Sequence, residues 1–128
     1  MDDHDTHTAP APQSLGCHTP GPWVARRMHT GGFDIFDPRN RDVVTVYGGG
    51  VEIESREANA RLIAAAPELL DGLTEARTTL SILRTQIMVE IGRCADPSES
   101  RWDGVPEKLK ERIEEIDAAI ARATGATQ

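Results

Sequence analysis

Aromatic residues are scarce: two Trp, two Phe and one Tyr in 128 residues. That scarcity excludes a nucleic-acid platform built on stacked bases. Positive charge is also in short supply. Fourteen Lys and Arg stand against 21 Asp and Glu, a formal net charge of -7. Such a chain is a poor generic binder of phosphate backbones, so no nucleic-acid partner is expected. Long apolar runs are missing. The longest, Leu62 to Ala66, falls far short of the roughly 20 residues a membrane span needs, and no membrane partner is expected. The opening Met1-Asp2-Asp3-His4-Asp5 lacks the apolar stretch of a secretory signal. Two cysteines, Cys17 and Cys94, make no disulfide framework. The expected location is a reducing cytoplasm.

What is present falls into an arm, a sheet and a helical part. Residues 1–21 hold Asp, His, Thr, Pro and Gly with almost nothing large and apolar. Such a segment cannot offset its ordering entropy and is expected to be a disordered arm. Residues 22–124 are expected to form one α+β domain, with sheet over 22–53 and helix over 55–124, and 125–128 a frayed tail. Trp23 to Arg27 reads as a first strand, and Gly31-Gly32 punctuates. In Phe33-Asp34-Ile35-Phe36-Asp37 the two-residue period puts Phe33 and Ile35 on one face. Asp37-Pro38-Arg39-Asn40 supplies turn chemistry. Asp42 to Tyr47 is β-branched and aromatic, hence a strand antiparallel to the second. Val51 to Ile53 is read as a short extension of the sheet.

Ser55 is read as the N-cap of a helix, with Glu57 in its first turn. Pro67 cannot donate to the carbonyl of Ile63, so the helix breaks or restarts there. From Leu69 the apolar positions Leu69, Leu73, Ala76, Leu80, Leu83, Ile87, Ile91 and Cys94 follow in steps of three and four, a heptad-like seam. After a loop over 95–105, Pro106 opens a last helix with Leu109, Ile113, Ile116, Ile120 and Ala123. Matching seams predict an antiparallel helical hairpin. The first helix past Pro67, at about 1.5 Å per residue, runs about 40 Å and outreaches a sheet of three short strands. Its apolar seam is therefore expected to meet a second copy through Leu80, Leu83, Ile87 and Ile91. Arg77, Arg84 and Arg93 are read as a solvated face.

Two stretches carry a resemblance. His18-Thr19-Pro20-Gly21-Pro22-Trp23 and Glu57-Ala58-Asn59-Ala60-Arg61-Leu62-Ile63-Ala64-Ala65-Ala66-Pro67-Glu68-Leu69-Leu70 resemble a widespread group of small phage and prophage accessory proteins, over roughly residues 18 to 73. In architecture, a sheet followed by two helices, the chain is also similar to the sponge proteins that defeat Thoeris immunity. That second similarity implies a symmetric oligomer that sequesters a cyclic ADP-ribose-type signal without chemistry.

The residues give such a ligand a place to bind. Gly48-Gly49-Gly50 precedes a helix start, whose free N–H groups and partial positive charge suit a phosphate. Arg56 and Arg61 can add charge-assisted bonds, Tyr47 can stack on a base, and Arg27 and Asn59 are further candidates. The spacing matches neither a P-loop nor a dinucleotide fingerprint. The expected ligand site is therefore Arg27, Tyr47, Gly48, Gly49, Arg56, Asn59 and Arg61. No catalytic residue, cofactor or metal is expected. His29 has no partner and orienting group in the sequence, Asp2, Asp3, His4, Asp5 and His7 lack fixed geometry, and Cys17-His18 lacks two further ligands at useful spacing. The alternative to a nucleotide sponge is a helical module that binds a host or phage protein.

Overall fold

Alternation decides the first element group. In the computed structural model, which describes residues 17–47 and 50–126, three short strands follow one another: β1 (Val24–Arg27), β2 (Phe33–Phe36) and β3 (Asp42–Val46). They form one antiparallel sheet in the order β1-β2-β3, so β1 and β3 are both edges. Ile35 pairs with Ala25 on one side and Val44 on the other, while Phe36 pairs with Asp42. Val43 is thus the extra residue of a bulge. Phe33 and Ile35 are buried, Ile35 completely. The other face carries polar cover. The Arg26 guanidinium lies 4.7 Å from the Phe36 ring centre, Arg26 Nη1 donates to Asn40 Oδ1 at 3.0 Å, and Thr45 Oγ1 donates to Asp34 Oδ1 at 2.7 Å.

The β2–β3 turn is held by one carboxylate. Asp37, buried, accepts from the backbone N–H groups of Arg39 (2.9 Å) and Arg41 (2.8 Å) and from the Arg41 side chain (2.8 Å). The Arg41 N–H bond, with the Arg41 guanidinium behind it, keeps this carboxyl below its ordinary value of 3.8 despite the burial that opposes it. Asn40 takes the left-handed conformation the turn needs, with φ 61°, a region Asn tolerates better than most residues.

Helix α1 (Ile53–Ala64) packs on β2 and β1 and buries Ala60 against them. It begins two residues before Ser55, at an N-cap formed by Glu52 that makes no side-chain cap bond. Ile53, expected at the end of the sheet, is its first residue. The helix stops at Ala64 and restarts as α2 (Ala66–Gly92), with Pro67 in its first turn, where the absent N–H costs nothing. The segment before β1 docks at this joint. Trp23 Nε1 donates to the Thr19 carbonyl at 3.1 Å, and the His18 and Trp23 rings meet edge to face. A Cβ at Gly21 would stand 3.0 Å from both Pro67 Cβ and Glu68 Oε1, a tight approach. Residues 18–21 of the expected arm are thus packed against the domain; residues 1–16 and 127–128 lie outside the described part.

A short 3-10 turn (Pro97–Glu99) lies in the loop that leads to α3 (Val105–Thr124). Helices α2 and α3 run antiparallel. Arg77 Nε donates to Asp117 Oδ1 at 2.7 Å, and Arg84 Nε donates to the Pro106 carbonyl at 3.2 Å, so ascending positions on one helix meet descending positions on the other. Ile87 and Ile113 are buried, and Leu80, Ile91, Leu109, Ile116 and Ile120 are half-buried. On α3 the apolar face is the expected one. On α2 it is rotated: Arg77, Ser81 and Arg84 share the inward face with Leu80 and Ile87, while Leu69, Leu73, Leu83 and Cys94 are exposed. Arg77 and Arg84 therefore tie the hairpin together instead of forming a solvated face, and Arg93 pairs with Glu90 at 2.8 Å.

Candidate functional site

The β1–β2 turn is the place where expected site residues come together. Met28 N–H donates to the Gly32 carbonyl at 2.8 Å and Gly31 N–H to the Met28 carbonyl at 3.1 Å, closing the turn. Gly31 has φ 89°, which a residue with a Cβ rarely adopts. A Cβ on Gly32 would stand 3.1 Å from the Val46 carbonyl oxygen and 3.6 Å from the Tyr47 ring. The Tyr47 ring therefore lies beside a backbone with no side chain, and Tyr47 is 76% exposed. From the other direction, the guanidinium of Arg56 reaches within 3.8 Å of where a Gly31 Cβ would sit. Arg56 Nε is used at 2.7 Å on the Val51 carbonyl, which anchors the side chain across the helix start. Arg27 ends β1, one residue before the turn, and is exposed.

Arg27, Tyr47 and Arg56 thus border one glycine turn. Gly31 and Gly32, which sequence reasoning treated as punctuation, are the floor they share. The signal was available: two adjacent glycines between strands leave backbone open to whatever approaches. Gly48 and Gly49 lie outside the described residues.

Arg61 is elsewhere. It sits near the other end of α1, pairs with Glu57 at 2.7 Å, and lines a shallow groove with Trp23, Val24, Ala25 and Glu68. Asn59 is exposed on α1 beyond Arg56. The helix start also differs electrostatically from the expected arrangement. Glu52 stands at the N-cap position, without a side-chain cap bond, and Glu54 occupies the first turn, so two acidic residues lie near the positive end of the helix dipole. This disfavours a highly charged anion there.

Of the four residues expected between copies, Ile87 is buried inside one chain and Leu80 and Ile91 are half-buried; Leu83 is 41% exposed. Among the described residues, no group of three or more His, Cys, Asp or Glu could hold a metal ion. No helix among them is long and apolar enough to cross a membrane.

No curated protein and no solved structure matches the chain. One family does, over residues 14–127, which takes in the sheet, all three helices and the turn just described. The chain belongs to that family, described as Salmonella phage P22 protein Y8K6, and is read accordingly as a phage-encoded protein.

Proposed function

We propose that this phage protein acts by binding and not by catalysis, and that its ligand is a nucleotide signal of low charge held at the β1–β2 turn. One observation carries the reading: Tyr47, just past β3, and Arg56, on α1, border the same bare glycine turn. A flat exposed ring offers a base a stacking surface, worth about 1–3 kcal/mol per base. A guanidinium offers a phosphate charge-assisted bonds of about 1.5–3 kcal/mol each. The carboxylates of Glu52 and Glu54 select against a polyanion, which favours a cyclic or bridged phosphate of the ADP-ribose kind over a nucleoside triphosphate. Sequestration of such a host immune signal fits the phage family and the architecture noted in the sequence. The only buried carboxylate among the described residues, Asp37, is fully engaged in a turn, so it supplies no acid or base for chemistry.

Calorimetry against a panel of cyclic and ADP-ribose-type nucleotides tests this. The expected result is micromolar binding that Tyr47→Ala and Arg56→Ala each weaken about tenfold or more, with Arg61→Ala unchanged and the ligand recovered intact. A ligand returned cleaved would make the protein an enzyme. Absence of heat with every nucleotide favours a second reading, a helical module for a host or phage protein. Its support is the exposed apolar set Ile82, Leu83, Met88 and Val89 on α2.

A further inference from the structure

The outer surface of α2 is unusual for an exposed helix. From Thr78 to Val89 its sole charged residue is Arg84, and that guanidinium is turned to α3. At 100° per residue, Thr74, Thr78, Ile82, Thr85 and Val89 fall on one stripe, well away from the side that meets α3. Ile82 is 56% and Val89 49% exposed. The threonines on this stripe do not need water. The hydroxyls of Thr74, Thr78 and Thr85 donate to the carbonyls of Leu70, Thr74 and Ser81 four residues back, at 2.9, 3.1 and 3.0 Å. Covering them leaves no donor unsatisfied. The stripe is therefore apolar in effect, although its composition reads as half polar.

Both ends carry charge: Asp71 and Glu75 at one, and Arg93 beside Glu90 at the other. Asp71 lies eleven residues before Ile82 and Arg93 eleven residues after it, about 33 Å apart along the helix. A second α2 laid antiparallel with its Ile82 on the first Ile82 brings each Asp71 level with the other copy's Arg93. Arg93 now pairs with Glu90, but both side chains are more than half exposed and can exchange partners.

We infer that the protein is a two-fold dimer built by antiparallel pairing of α2 through Thr78, Ile82, Thr85 and Val89, with Asp71–Arg93 pairs closing both ends. The partner is a second copy because the stripe is complementary to itself. This inference stands apart from the nucleotide reading, since it uses a different face and different residues. Sedimentation velocity on the full chain is expected to give twice 13.9 kDa at micromolar concentration. Ile82→Asp places two carboxylates on the two-fold axis and is expected to give a monomer of unchanged helicity. Asp71→Arg and Arg93→Asp are each expected to weaken the dimer about tenfold, and the double exchange to restore it. A wild-type monomer at high concentration overturns the inference, as does an assembly that Ile82→Asp leaves intact. A double exchange as weak as the single ones overturns the antiparallel register.

Discussion

Around Ile35 the chain buries whole side chains. Phe33 and Ile35 from β2 and Ala60 from α1 close on one another, and the small alanine lets the helix approach the sheet. Around Ile87 and Ile113 the α2–α3 hairpin does something different. Two isoleucines are covered, but Arg77, Ser81 and Arg84 share their face, and polar bonds to Asp117 and to the Pro106 carbonyl complete the contact. The sheet and α1 are therefore held mainly by exclusion of water. The hairpin is held partly by directed bonds that fix which positions of α2 and α3 meet. Packing of the first kind is costly to damage. Bonds of the second kind specify register while contributing modestly to stability.

The contrast is open to measurement. Ile35→Ala removes a completely buried side chain and is expected to cost about 2–5 kcal/mol in chemical denaturation, with Ile113→Ala near the lower end of that range. Equal losses would break the contrast. Separate transitions for near-ultraviolet and helical signals would sharpen it, by showing that the two regions unfold as distinct units.

The next effect is smaller and depends on pH. Asp37 titrates below its ordinary value of 3.8 in the folded chain. The ionised carboxylate therefore contributes stability that is complete above that value and is lost as pH falls through the lower, folded-state value. Asp37→Asn is expected to flatten part of the decline in thermal midpoint between about pH 5 and about pH 2. A residual decline should persist, because the hydrogen bond from Arg77 also holds Asp117 low. An unaltered acid profile would show that the turn contributes nothing to the sheet. The smallest effect is expected from Asp117→Asn. The pair it weakens is nearly half exposed on both sides, so the thermal midpoint should shift by no more than about 2–3 °C while helicity stays constant. A larger drop would make the hairpin as dependent on its ion pair as the sheet is on Ile35.

Much of the fold was legible because it follows from local rules. The alternation in Phe33 to Phe36, the Asp-Pro turn and the restart at Pro67 each depend on a few neighbouring residues. The rotation of α2 was not legible. A seam read by counting Leu and Ile assigns Leu69, Leu73 and Leu83 to the interior. The structure instead turns Arg77 and Arg84 inward, since each finds a specific acceptor on α3 that sequence alone does not display. The site was half legible for a similar reason. Tyr47 and Arg56 were chosen for their chemistry, but their meeting point is a turn fifteen or more residues upstream of either. Arg61 was grouped with Arg56 by sequence proximity, yet five residues of helix turn it by about 140°, toward Trp23 and Glu68. The helix cap was misplaced by three residues because Ser55 is the better capping residue and Glu52 the one actually used.

The open edges of the sheet have a consequence for how the protein behaves when it is crowded. A three-stranded sheet whose two margins are unpaired among the described residues is a template for growth, strand upon strand, into insoluble ladders. Here neither margin invites it. Juxtaposing two β1 strands would gather four guanidinium groups, from Arg26 and Arg27 of each copy, into a ladder only four residues long. Along β3 the bulge at Val43 breaks the regular spacing, and Asp42 adds a charge at the first position of the strand. Aggregation by edge pairing is thereby discouraged at both margins.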